Sequence, residues 1–108
     1  MARLIKKFLD KAGYNTSIAL SGFGAGIYLG SNTPDLITLD IKMPGMGGEQ
    51  VLSTIRKIVH LKDVKVLLVS AISIKELLVI REKGADDILQ KPFTKEALLE
   101  KISGLIGT

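Results

Sequence analysis

Three polar residues close three successive apolar runs: Asp40 after "DLITL", Ser70 at the end of "VKVLLVS", and Lys91 after "DILQ". A carboxylate, a hydroxyl and an ammonium together suit phosphoryl transfer. The carboxylate can attack phosphorus as a nucleophile. The ammonium offsets charge on the transferred group, and the hydroxyl donates to one of its oxygens. Such chemistry also needs a hard divalent cation such as Mg2+, which takes several oxygen ligands. Asp40 supplies one. The loop after it, opened by Pro44, Gly45, Gly47 and Gly48, frees backbone carbonyls for another.

These side chains meet only if the elements carrying them do. Residues 2–12 place Leu4, Ile5, Phe8, Leu9 and Ala12 on one helical face, with Gly13 as a stop. "NTSIAL" (15–20) reads as a short polar strand of the sheet-edge kind. "SGFGAGIYLG" (21–30) reads as a helix with Ser21 as N-cap. Gly22, Gly24, Gly26 and Gly30 make it the least stable one, at up to about 1 kcal/mol per interior Gly. "DLITL" is apolar without alternation, which predicts a strand covered on both faces.

A further helix from about Gly48 points Val51, Leu52, Ile55 and Ile58 inward. "VKVLLVS" is the next strand. "IKELLVIREKGA" is a helix closed by Gly84 at a C′ position. After the short strand "DILQ", Thr94 caps a final helix with Ala97, Leu98, Ile102, Leu105 and Ile106 inward. Strict alternation of helix and strand with short connections predicts a parallel sheet with helices on both faces. Sites in such sheets form at the C-terminal strand ends. With strands about 4.8 Å apart, three adjacent ends gather Asp40, Ser70 and Lys91 within roughly 10 Å.

In order and spacing, "PDLITLDIKMPGMGGEQVL", "VKVLLVSA" and "GADDILQKPF" resemble the receiver domains of two-component response regulators, and the resemblance covers nearly the whole chain. It implies an α/β, flavodoxin-like (CheY-like) doubly wound parallel sheet. Asp40 is then the phosphoacceptor, Ser70 the switch hydroxyl with Ala71 beside it at the phosphate, and Lys91 the phosphate-pairing lysine. Lys91–Pro92 is implied to be a cis peptide. The Lys42 backbone carbonyl is implied to join Asp40 on Mg2+. A histidine kinase or phosphotransfer protein is the implied phosphoryl donor.

Receivers open with a strand that ends in an acidic pair binding Mg2+, and their first helix comes next. "MARLIKKFLDKAGY" resembles that helix, without the pair before it. The expectation is therefore a single receiver-like domain over 1–108 lacking the usual first, central strand. It would have four strands and five helices, with Mg2+ binding weakened or lost. Asp86 and Asp87 stand at the entry to the last strand and cannot replace the pair. A slot in the sheet leaves unpaired strand edges, which are costly. That predicts closure of the sheet, strand exchange between chains in a homodimer or higher oligomer, or a longer natural protein. The switch position three residues before Lys91, usually aromatic, is Ile88. Coupling of hydroxyl to aromatic rotamer cannot operate there in that form.

The totals narrow the remaining classes. At 108 residues the chain suits one domain, and 46% hydrophobic with 24% charged residues is a globular rather than a disordered balance. Without Cys there is no disulfide, thiolate metal site or Cys nucleophile. No apolar run approaches the roughly 20 residues of a membrane helix, so a cytoplasmic location is expected. The net charge of +4 is spread along the chain and interleaved with acidic residues, which argues against direct nucleic-acid binding.

His60, the only histidine, reads as a solvated loop residue. The glycines of 22–30 fail the dinucleotide spacing, because Leu29 or Ile27 stands where the third Gly belongs. Met43 and Met46 read as loop packing. Leu77, Leu78, Val79 and Ile80 run consecutively, so some of them should be exposed as a contact surface.

The sequence thus predicts a receiver module of a two-component phosphorelay, not an enzyme, signalling through the last helices and strand. The alternative is a phosphorylation-independent pseudo-receiver, or a truncated fragment, that self-associates. A small phosphohydrolase is disfavoured, since no second acid–base carboxylate accompanies Asp40.

Overall fold

The computed structural model describes residues 2–14, 33–40 and 48–107, and the chain divides into two units, Met1–Asn32 and Thr33–Thr108. In the first unit, helix α1 spans Ala2–Lys11, with Ile5 and Leu9 buried and Leu4 exposed. Lys6 and Asp10 pair at 3.1 Å one turn apart. The predicted stop is a full Schellman turn. The Gly13 N–H donates to the Asp10 carbonyl and the Tyr14 N–H to the Leu9 carbonyl, with Gly13 at φ +94°. The strand expected over 15–20, and the glycine-rich helix over 21–30, lie outside the described residues.

The second unit is an α/β layer structure. Strand β1 (Leu36–Asp40), helix α2 (Gly48–Lys57), a 3-10 turn (Val59–Leu61), β2 (Lys65–Ser70), α3 (Ile74–Arg81), β3 (Asp87–Gln90) and α4 (Lys95–Ile106) follow in order. All strand pairings are parallel, in the order β1-β2-β3, with Asp40 beside Val69 and Ser70 beside Gln90. Among the described residues there are thus three strands and four α-helices.

Val66 and Leu68 of β2 meet Leu52 of α2 and Leu77 and Ile80 of α3 in one buried cluster. Ile37, Leu39, Ile72, Ala85 and Ile88 pack around it. Leu67 and Val69 alternate to the opposite side of the strand, and α4, whose Leu98 and Ile102 are buried, lies against all three strands. Ala97, Leu105 and Ile106, expected inward, are only half-buried. Val51's side chain lies outside the described residues.

Two expectations need correction. β1 is half-buried rather than covered on both faces. It has one strand neighbour among the described residues, whereas β2 has two and is buried from Val66 to Ser70. Helix α3 ends at Arg81 with Glu82 as its C-cap, one residue earlier than a C′ position at Gly84 implies. Its last carbonyls are taken up in a turn in which the Lys83 N–H donates to Ile80 and the Gly84 and Ala85 N–H groups donate to Arg81.

Gly84 serves a different contact. It sits at φ +133°, and a Cβ there would lie 2.9 Å from Cγ of Arg56. Arg56, in the last turn of α2, donates from Nε to the Gly84 carbonyl at 2.6 Å and from Nη1 to the Val64 carbonyl at 2.7 Å. Its Nη2 reaches Asp86 Oδ2 at 2.9 Å, and the same oxygen accepts from the Val66 N–H at 2.8 Å. One guanidinium therefore ties α2 to the entries of β2 and β3.

Both later helices carry side-chain caps. Ser73 Oγ accepts from the Glu76 N–H as the N-cap of α3 and donates to Glu76 Oε1. Thr94 Oγ1 accepts from the Ala97 N–H as expected, and Gly107 at φ +76° closes α4. Of the consecutive apolar residues in α3, Leu77 and Ile80 are buried, while Leu78 and Val79, like Ile74, are exposed. No helix among the described residues is long and apolar enough to cross a membrane.

Candidate functional site

Each strand end delivers one of the singled-out residues. Asp40 is the last residue of β1, Ser70 the last of β2, and Lys91 follows the last residue of β3. Asp40 and Lys91 meet directly. The ammonium lies 2.7 Å from Asp40 Oδ2, with the Lys91 side chain 10% exposed and that of Asp40 39% exposed. The lysine thus approaches along the covered side of the sheet end, while the carboxylate keeps an open side to solvent. The Lys91–Pro92 peptide is cis.

Ser70 is placed differently from the crevice-facing hydroxyl read from the sequence. It is 0% exposed, and its Oγ accepts from the Ile72 N–H at 3.4 Å. Its backbone carbonyl accepts the Lys91 N–H at 2.8 Å, which fixes where the lysine leaves the sheet. Ala71 and Pro92 are exposed. Ile88 is half-buried against the core cluster. Lys42, Met43 and Met46 lie outside the described residues.

Asp86 and Asp87 are committed elsewhere. Asp86 holds Arg56, and Asp87 accepts from Lys101 Nζ at 3.2 Å and from the Ile88 N–H at 2.8 Å. His60 is exposed on the 3-10 turn. Sequence reasoning passes over Gln90, whose Nε2 donates to the Ile72 carbonyl at 3.0 Å. The one available signal is a long amide at the end of a half-buried strand, next to Lys91.

Mg2+ can be tested against these groups. Among the described residues, no set of three His, Cys, Asp or Glu side chains could hold a metal ion. Asp40 offers one carboxylate, already on the Lys91 ammonium, whereas Mg2+ requires six oxygens in a near-octahedral shell. The described residues alone do not fit the ion.

A family model for the response regulator receiver domain matches residues 1–103, and the chain belongs to that family. Receiver domains are signalling modules of two-component systems. They are phosphorylated on an aspartate by histidine kinases or phosphotransfer proteins, and they bind Mg2+. The DNA-binding dual master transcriptional regulator RpaA of Synechocystis sp. is 32% identical over 104 residues, 95% of this chain and 43% of RpaA. The chain therefore spans less than half the length of this curated relative.

A response regulator from Thermotoga maritima superposes with a TM-score of 0.86 at 29% identity, covering 99% of this chain and 88% of that one. The receiver domain of the sensor histidine kinase PA1611 from Pseudomonas aeruginosa has a magnesium ion coordinated in its active-site cleft. It superposes with a TM-score of 0.87, over 98% of this chain and 88% of its own, and at 22% identity it shares the fold.

Proposed function

We propose that residues 1–108 act as one receiver module in which Asp40 accepts a phosphoryl group from a histidine kinase or phosphotransfer protein in the cytoplasm. The observation that carries this reading is the Lys91 ammonium, 2.7 Å from a carboxylate that remains 39% exposed. An Asp40 oxygen attacks phosphorus as the P–N bond to the donor's imidazole breaks, and that electron pair leaves with the nitrogen. Lys91 stays to offset the charge gathered on the phosphoryl oxygens. Ala71 borders the bound group. Ser70 Oγ accepts from the Ile72 N–H, and its own O–H remains a donor for a phosphoryl oxygen.

The family's Mg2+ binding is weakened in this reading, with Asp40 and the Lys42 carbonyl as its ligands from this chain. No catalytic turnover is assigned, and the dispersed basic residues give this chain no DNA-binding role of its own. Incubation with acetyl phosphate over rising Mg2+ concentrations, read by intact mass, tests the reading. One added phosphoryl group per chain supports it, and an unchanged mass at every Mg2+ level refutes it.

A homodimer formed by strand exchange along β1 belongs to the same reading. In support, β1 is half-buried and, among the described residues, bonded to β2 alone. A dimer mass by light scattering supports exchange, and a monomer mass removes it.

A further inference from the structure

We propose that Gln90 is a positioning residue that ties the state of the Asp40–Lys91 pair to the N-terminus of α3. Ser70 and Gln90 are register partners at the ends of β2 and β3. Beyond them the chain is closed into a ring of hydrogen bonds. The Lys91 N–H donates to the Ser70 carbonyl at 2.8 Å, and the Ile72 N–H donates to Ser70 Oγ at 3.4 Å. Gln90 Nε2 donates to the Ile72 carbonyl at 3.0 Å. Both backbone groups of Ile72 are thus held, one by each strand end.

The neighbours on either side of the ring give it a role. Gln90 shares a peptide bond with Lys91, whose ammonium rests on Asp40. Ile72 shares one with Ser73, the residue that caps α3 through Glu76. If Lys91 moves to track a change at Asp40, Gln90 moves with it. The amide then shifts or releases the Ile72 carbonyl, and the cap responds. Gln90 is half-buried, so its bond to Ile72 is partly shielded from competing water. Only the NH2 end of the amide can bond a carbonyl, which fixes the orientation of the side chain. Ile88, two residues earlier on β3, has no polar side-chain atom to share this task.

The biological meaning rests on Asp40 being the acceptor, but the test does not need phosphorylation. Spatial continuity alone does not establish coupling, whereas a double-mutant cycle measures it. Amide resonances of Ile72 to Glu76 are recorded on 15N-labelled chain for Asp40→Asn, in the parent and in Gln90→Met. Asp40→Asn is expected to shift these resonances in the parent. In the Gln90→Met background that response is lost, while the shift at Lys91 itself persists. Gln90→Glu keeps the size but presents oxygens to the Ile72 carbonyl. It should lose the response too, and it serves if the Met variant does not fold. An equal response in parent and variant, or no response in the parent, overturns the proposal. Failure of Asp40 to take up phosphate from acetyl phosphate would refute the acceptor reading and leave this cycle intact.

Discussion

Lys91 and Asp40 lie 51 residues apart in the chain, yet their charged atoms approach to 2.7 Å across the C-terminal end of β2. Parallel pairing of β1 with β2, and of β2 with β3, makes this approach possible, and the Lys91 N–H on the Ser70 carbonyl aims it. In the acceptor reading the ammonium acts on charge that develops during transfer, so its loss falls on rate. Lys91→Met should slow phosphoryl uptake from acetyl phosphate by about 100-fold. Initial rates of adduct formation by intact mass check this, and a variant as fast as the parent would count against the assigned role.

The Arg56 clamp makes a prediction about stability alone. Arg56→Ala strips the Gly84 and Val64 carbonyls and the Asp86 carboxylate of a shared, partly buried donor, at a cost of about 2 kcal/mol. Gly84→Ala forces a side chain into φ +133° and against Arg56 Cγ, costing about 1–3 kcal/mol. In the double variant the steric part of the second cost is relieved, so the two should sum to more than the pair. Urea unfolding of the four proteins checks it, and strict additivity would show that the close approach carries no energy.

Ser73 sits at the start of an eight-residue helix, where one cap is a large share of the local hydrogen bonding. Ser73→Ala should destabilise α3 by about 1 kcal/mol. Amide exchange at Glu76 and Leu77 should quicken while β2 keeps its protection. Uniform loss of protection across the sheet would mean that α3 does not open locally.

Much of this arrangement is legible in the sequence because period and punctuation carry it. The Gly13 stop, the Thr94 cap, the end of β2, the bounds of β3, and the strand-end positions of Asp40, Ser70 and Lys91 all come from local rules. The features that escape depend on residues far apart in the chain. Gly84 reads as a helix stop in isolation, and its real constraint comes from Arg56, 28 residues away. Asp86 is read only as unable to replace the acidic pair, and its bonds to Arg56 and the Val66 N–H come from residues distant in the chain. Type and position assign Ser70 to the crevice, but its hydroxyl direction depends on the Ile72 N–H in the next turn. Half-burial of β1 depends on what packs over its faces, information that an apolar run of five residues does not contain.

Chemical mapping of the modified residue decides whether Asp40 carries the phosphoryl group. An aspartyl phosphate is an acyl phosphate, which borohydride reduces to homoserine, whereas an unmodified carboxylate and a serine phosphate are left unreduced. Chain treated with acetyl phosphate and Mg2+, reduced, digested and sequenced by mass spectrometry should show homoserine at position 40 in place of Asp40. Phosphate found stably on Ser70, homoserine at another aspartate, or no reduction product at position 40 would contradict the account.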